Sequence, residues 1–291
     1  MPANTAGADP AAAPGPARSD TPAGPGRPAG PTIGPYAPIG ARPPLSRASG
    51  LPFYHPTVAR LTYRGLLGRR RALLLFALPL LLLVIVAAVR ALTGADDGTA
   101  AGLLQGFALS AMVPLVGVIA GTGAIGPEID DGAIVYLLAK PVKRGTIIVT
   151  KLLVAIGVTV LFCAVPTLLA GYILDGSSQH LAVAFAIAAA VASIAYSAIF
   201  LMLGVLTRHA VVAGLVYALL WESVIGNYVP GARTLSVQQW SLAIAQKIAD
   251  GDQVSSDVGL TTSVVMLLVV TAAATWFAGR RLRTLKLAGD E

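Results

Sequence analysis

Six stretches of the chain are apolar and almost free of charge over about the 20 residues that a helix needs to cross a bilayer. These stretches are residues 72–89, 100–125, 152–174, 181–207, 210–229 and 258–279. None has the polar face of a helix that packs on the surface of a soluble protein. The pattern predicts an all-α membrane protein with six transmembrane helices, in a domain that spans residues 72–285.

The basic residues between the stretches predict their orientation. Fourteen Lys and Arg residues flank the membrane on the side of both termini, whereas only Arg90, Arg233 and Lys247 flank it on the opposite side. Basic loops stay preferentially in the cytoplasm. We therefore expect the N- and C-termini to be cytoplasmic and the protein to lie in the plasma membrane as a multi-pass protein.

The composition narrows the function classes. Of 291 residues, 55% are hydrophobic and 12% are charged, and the net charge of +7 lies mostly beside apolar stretches. That placement favours contact with membrane lipids and argues against nucleic acid. With one cysteine, three scattered histidines and no Gly-Lys pair, the chain is expected to hold no disulfide, metal, cofactor or P-loop, and it offers no convincing catalytic set.

Residues 1–50 have a different composition from the rest of the chain. They contain twelve of the twenty prolines and eight glycines, with few bulky apolar residues. Such a segment buries too little surface to offset the entropy of ordering it. It is expected to be a disordered tail, with a polyproline ligand for an adaptor domain as the alternative.

Residues 51–71 lead from the tail to the first span. Tyr54, Val58 and Leu61 can share one helical face while Arg60 and Arg64 share another. This arrangement predicts an amphipathic helix at the membrane interface, with its arginines among lipid phosphates. The alternative is a plain cluster of basic residues that stops transfer.

Residues 126–151 form the longest loop on the side predicted to be cytoplasmic. Acids at its start precede a short apolar turn, Pro141 ends the turn, and basic residues follow, so the loop can present a compact polar knob to another protein. The candidate contact residues are Glu128, Asp130, Asp131, Tyr136, Leu137, Leu138, Pro141 and Arg144. The alternative is a charged connector that only fixes topology.

The residues of this loop carry a family resemblance. Glu128 before Gly-Ala-Ile-x-Tyr-Leu-Leu, then Lys140-Pro141-Val142-x-Arg144 and Lys151, resembles permease subunits of type-2 ATP-binding-cassette exporters. The lead-in LTYRGLLGRRR, Trp221-Glu222 and Leu235-Ser236 look like the actinobacterial branch, so that the resemblance covers residues 56–285. It implies a loop that docks on a separate ATPase subunit, and a transport path formed with a second permease in a homodimer or heterodimer.

Glu222 is the one acidic residue within the predicted spans. An acid at such depth needs a partner, water or a polar cavity. It either lines the translocation path with Asn227 or caps a helix that re-enters the membrane from outside; proton chemistry is a third reading. A helix is also predicted over residues 236–249.

Other function classes remain open at the level of the sequence. A membrane-embedded enzyme and a non-transporting anchor subunit are the alternatives to an exporter permease. The transported substrate is not indicated, because the uncharged helices favour no chemical class.

Overall fold

The computed structural model describes residues 56–94, 96–126, 128, 144–174, 179–225, 231–249 and 254–284. They all belong to the compact unit Ser49–Glu291. The tail predicted for residues 1–50 lies outside this described part. Within it, every regular element is helical.

The helices follow the predicted apolar stretches closely. They are α1 (Pro56–Leu66), α2 (Arg69–Thr93), α3 (Asp97–Leu103), α4 (Val113–Gly123), α5 (Arg144–Leu174), α6 (Gln179–Leu206), α7 (Ala210–Val216), α8 (Val237–Ile248) and α9 (Leu260–Thr284). Two π-helical segments, Leu104–Met112 and Tyr217–Ile225, continue α3 into α4 and extend α7. A 3₁₀ turn, Arg233–Leu235, precedes α8.

Five of the helical segments are long and apolar enough to cross a membrane. These are Arg71–Leu92, Gly98–Gly123, Gly145–Leu174, His180–Leu206 and Leu260–Leu282. The remaining predicted stretch coincides with a shorter apolar helix, Ala210–Glu222. The chain is therefore a multi-pass, all-helical membrane protein, and the helix predicted for residues 236–249 is confirmed as α8.

Helix α6 lies at the centre of the bundle, where it packs against α4, α5, α8 and α9. Helices in a membrane associate by van der Waals packing, because no hydrophobic driving force acts between them there. Small residues allow the close approach of two helix backbones that such packing needs. A Cβ added at Gly171 of α5 would lie 2.6 Å from Cα of Ala182 on α6, and one at Gly121 of α4 would lie 2.7 Å from Cβ of Phe200. The Ser197 hydroxyl joins α6 to α5 by donating to Thr159 Oγ1 at 3.1 Å.

The peripheral helices α2 and α9 expose apolar side chains. In their most apolar windows only 22% and 17% of residues are buried, against 61% in α6. Leu73 and Leu80 of α2 and Leu268 of α9 are among the exposed large side chains. In a bilayer these faces meet lipid tails, which are as apolar as leucine.

Helix α1 is short, and the face that it packs against the bundle differs from the apolar face that the sequence suggested. Val58, Ala59, Thr62 and Leu66 are buried against the bundle. Leu61, expected beside Val58, is 57% exposed. The reason is that the buried stripe includes the small and polar residues Ala59 and Thr62, which a hydrophobicity pattern does not select.

Candidate functional site

The loop predicted to bind a partner begins and ends at a buried polar cluster. Lys151 lies in the third turn of α5 and is completely buried. Its ammonium donates to Glu128 Oε1 and to the Ala124 carbonyl oxygen, each at 2.6 Å. A longer contact of 3.5 Å reaches Thr62 Oγ1 on α1. We call Thr62, Ala124, Glu128 and Lys151 the Lys151 cluster.

The acceptors in this cluster match what an ammonium group requires. A lysine has three N–H donors and no acceptor, and here three oxygens face it. Ala124 follows the last residue of α4, where carbonyl groups have no partner within the helix. The negative end of the helix dipole also lies there, so both the unpaired carbonyl groups and the dipole favour a cation at this position. Thr62 Oγ1 is free to accept because its proton is donated to Val58 O at 2.9 Å.

A second cation binds the same helix end. Arg71 of α2 donates from Nη1 to the Gly123 carbonyl oxygen at 3.1 Å. A Cβ at Gly123 would lie 3.1 Å from that Arg71 nitrogen and 3.0 Å from Leu66 Cδ2. Glycine at this position therefore leaves room for the arginine. Together the two cations join α1, α2, α4 and α5 where the loop begins.

Glu222 forms a second buried cluster. It is completely buried in the π-helical extension of α7. Its Oε1 accepts from the Tyr217 hydroxyl at 3.0 Å and from the Val237 amide at 3.1 Å. Its Oε2 accepts from the Ser236 hydroxyl at 2.6 Å and from the Gln238 amide at 3.5 Å. These five residues are called the Glu222 cluster.

The Glu222 cluster caps the N-terminus of α8. The first amides of a helix have no partner within the helix, and the positive end of the dipole lies there, so a carboxylate is favoured. Ser236 is the N-cap residue, and its oxygen also accepts from the Gln239 amide at 3.3 Å. The side-chain amide of Gln238 donates to the Gln105 carbonyl oxygen at 3.4 Å, which joins α8 to the first π-helical segment. Glu222 is thus the partner that fixes where α8 starts.

The structure describes some of the residues that the sequence singled out. Glu128 and Glu222 lie in the two clusters, and Arg144 is the first residue of α5. Asp130, Asp131, Tyr136, Leu137, Leu138, Pro141 and Asn227 lie outside the described residues. Among the described residues, no group of three His, Cys, Asp or Glu side chains is placed to hold a metal ion.

Sequence reasoning missed the partners in both clusters. The sequence pattern places Lys151 at the basic end of the loop, but α5 begins seven residues before Lys151 and includes it. The signal was available, because a lysine directly before a long apolar run must find acceptors once the helix extends past it. Ser236 followed three residues later by Gln239 is likewise typical of a helix start.

Comparison with known families identifies the kind of protein. Residues 57–280 match the model of the ABC-2 family transporter proteins. The chain belongs to this family. No curated protein matches it significantly. As an ABC-2 family member it is a permease subunit of an ABC transporter, the membrane component that generally works with an ABC ATPase and is not itself catalytic.

Proposed function

We propose that this permease exports its substrate across the plasma membrane, driven by a separate ATPase that docks on the loop of residues 126–151. Two permeases, identical or different, would form the path. The observation that supports this best is the Lys151 cluster, since Glu128 near the start of the loop and Lys151 at its end are joined by a 2.6 Å ion pair. The residue pattern around it also favours the actinobacterial branch of the family.

The cluster gives the loop a mechanical connection to the bundle. A loop displaced by ATP binding moves Glu128, and Glu128 pulls on a lysine that also holds the end of α4 and contacts α1. Lys151 is fully buried while Glu128 is 25% exposed, so removing one partner costs less than the roughly 3–5 kcal/mol of a completely buried pair but leaves Lys151 without its counter-ion. The cluster therefore moves as a unit more readily than it dissociates. In this proposal Glu128 is a positioning residue, and Tyr136, Leu137 and Leu138 contact the ATPase.

In this proposal the Glu222 cluster lies on the outer side of the membrane, opposite to the loop of residues 126–151. We propose six spans with both termini cytoplasmic, in which residues 210–229 form the fifth span and α8 re-enters from outside. Ala210–Ile225 covers about 24 Å at 1.5 Å per residue, less than the roughly 30 Å of hydrocarbon. Glu222 then serves as the cap of the re-entrant helix. Asn227 stays a candidate for lining the path.

The coupling proposal is tested by pull-down and by the rate of ATP hydrolysis. Leu137→Ala and Tyr136→Ala should release the ATPase, because truncating a buried interface residue costs about 2 kcal/mol or more. Lys151→Met should keep the ATPase bound but reduce stimulation of its hydrolysis by the permease, since only the connection to the bundle is lost. Lys143→Ala, an exposed charge in this proposal, is the control and should change binding by less than about 1 kcal/mol.

Two results would contradict this proposal. Absence of any ATPase in native-membrane extracts would exclude docking on the loop. Equal stimulation by Lys151→Met and the parent would separate the cluster from coupling while leaving the docking surface intact.

Orientation is tested independently by labelling single cysteines with a reagent that does not cross membranes. Cysteines at Ser177 and Thr234 should react from outside intact cells. Cysteines at Thr146 and Thr284 should react only after the membrane is opened. Reaction at Thr146 from outside would overturn the six-span orientation.

A further inference from the structure

A cavity of about 530 Å³ opens between α1, α2 and α5, and its lining includes no member of the Lys151 or Glu222 cluster. Its wall on α5 consists of Val154, Gly157, Val158, Leu161 and Phe162. These residues recur every three or four positions, so they form one helical stripe about 12 Å long. The cavity is therefore an elongated groove along a membrane-spanning helix.

The groove is apolar over most of its surface. Phe76 of α2 lines it and packs edge-to-face on Phe162, with ring centroids 4.8 Å apart. Leu161 is 57% exposed, which shows that the groove opens to the outside of the bundle. At this position in a membrane the neighbouring molecules are lipid tails. A straight acyl chain fits the shape and the chemistry of such a groove.

Polar groups occur where α1 lines the groove. Arg60 and Tyr63 lie on the lining, and Arg64 follows one helical turn after Arg60. In the described part of the chain, no acidic residue lines the groove, and neither the Arg60 guanidinium nor the Tyr63 hydroxyl has a hydrogen bond or ion pair. An arginine and a phenol at this edge are donors that suit a phosphate group.

We propose that this groove binds one anionic phospholipid, with an acyl chain against the α5 stripe and the phosphate held by Arg60 and Tyr63. The apolar wall alone selects no lipid, because every lipid tail is equally apolar. Selection comes from charge. Each arginine near an anionic headgroup favours it by roughly fivefold, so Arg60 and Arg64 together imply a preference on the order of twentyfold or more over a zwitterionic lipid.

The glycine in the stripe provides a way to fill the groove. A Cβ added at Gly157 meets no atom within 4 Å. Leucine at this position therefore enters the groove without displacing the helices, and it is a better helix former than glycine. Gly157→Ala leaves most of the groove open. Gly102 of α3 has equally open surroundings away from the groove, so Gly102→Leu is a matched control.

The experiment uses the full-length protein in nanodiscs of phosphatidylglycerol and phosphatidylcholine in equal amounts with identical chains. One of the two lipids carries a photoreactive group in its acyl chain, and labelling of residues 152–162 is measured by mass spectrometry. Phosphatidylglycerol should label this segment at least fivefold more strongly. Arg60→Gln should lower that ratio about fivefold, and Arg60→Lys should retain most of it.

Gly157→Leu should reduce labelling by both lipids, whereas Gly157→Ala and Gly102→Leu should leave it unchanged. Labelling that ignores Gly157→Leu would overturn the groove as the binding site. Equal labelling by the two lipids, insensitive to Arg60→Gln, would overturn the preference for an anionic headgroup. The proposal requires only that the chain lies in a membrane, so its outcome is independent of ATPase coupling.

Discussion

Replacing Glu222 tests whether its carboxylate holds the start of α8. Leucine has a similar volume but accepts no hydrogen bond, so Glu222→Leu removes the four bonds described above at once. Two of the donors are backbone amides, of Val237 and Gln238, that have no alternative partner within the first helical turn.

The magnitude follows from these donors. A buried donor left without a partner costs about 1–3 kcal/mol, and the 3.5 Å bond from Gln238 contributes least. The total for Glu222→Leu is about 3–5 kcal/mol, since two hydroxyl and two amide donors lose their acceptor at a cost near the lower end of that range. Glu222→Gln keeps one carbonyl oxygen for Tyr217 and Val237 but turns an amide group toward Gln238. It should cost about 1–2 kcal/mol.

Hydrogen exchange measured on the full-length protein localises the effect. Loss of about 3–5 kcal/mol from the free energy of opening α8 should speed exchange of the Val237 and Gln238 amides by about two to four orders of magnitude in the leucine variant, since 1.4 kcal/mol is a factor of ten. The glutamine variant should change by about tenfold. Amides in the centre of α6 should exchange as in the parent.

Asp257 provides a matched control on the same side of the bundle. It pairs with Arg233 at 2.6 Å, but the two side chains are 57% and 36% exposed. Screening by water limits such a pair to less than about 1 kcal/mol. Asp257→Leu should therefore leave exchange in α8 nearly unchanged. Parental exchange rates at Val237 and Gln238 in Glu222→Leu would refute the cap.

Two further predictions concern packing and pH. Gly171→Ala should lower the free energy of unfolding by about 1–3 kcal/mol, because the new Cβ would lie 2.6 Å from Ala182. A thermal or SDS titration measures this change. Gly157→Ala on the same helix is the control and should be neutral or slightly stabilising. Hydrogen bonds from the Thr99 hydroxyl and amide lower the pKa of Asp96. The ionised carboxylate should therefore stabilise the start of α3 at any pH above the usual carboxyl pKa. This stabilisation should be lost as the pH falls through the lowered pKa of Asp96. Unfolding temperatures between pH 5 and pH 2 should show a smaller acid dependence in Asp96→Asn, and an identical dependence in both proteins would contradict this assignment.

The helices were predictable from the sequence because apolar runs of this length have few alternatives in a membrane. The described α2, α5, α6 and α9 all overlap their predicted stretches. The ends were less predictable. Helix α5 starts at Arg144 and not near residue 152, because a paired charge such as Lys151 is tolerated inside a helix. Its partner lies 23 residues away in the chain, a separation that no local pattern reveals.

The site was predictable in part. The sequence identified Glu222 as an acid that needs a partner, and the cap was one of the readings. It did not identify Ser236, Val237 and Gln238 as the donors, since two of these bonds come from backbone amides and are independent of side-chain type. These backbone donors lie 15 and 16 residues from Glu222 in the chain, so the contacts become visible only once the extension of α7 and the start of α8 are placed side by side.

The charged side chains inside this bundle share one physical role. Lys151 and Arg71 bind carbonyl groups at the end of α4, and Arg90 donates to the Leu174 carbonyl oxygen at the end of α5 at 3.3 Å. Glu222 binds amides at the start of α8. In each case the sign of the charge opposes that of the helix terminus, as the dipole requires. Each of these charges neutralises the end of a helix, so the presence of buried charges alone gives no argument for a charged substrate. Lys151→Arg should therefore be better tolerated than Lys151→Met, because the carbonyl acceptor at the end of α4 requires a cation whatever the transported substrate is.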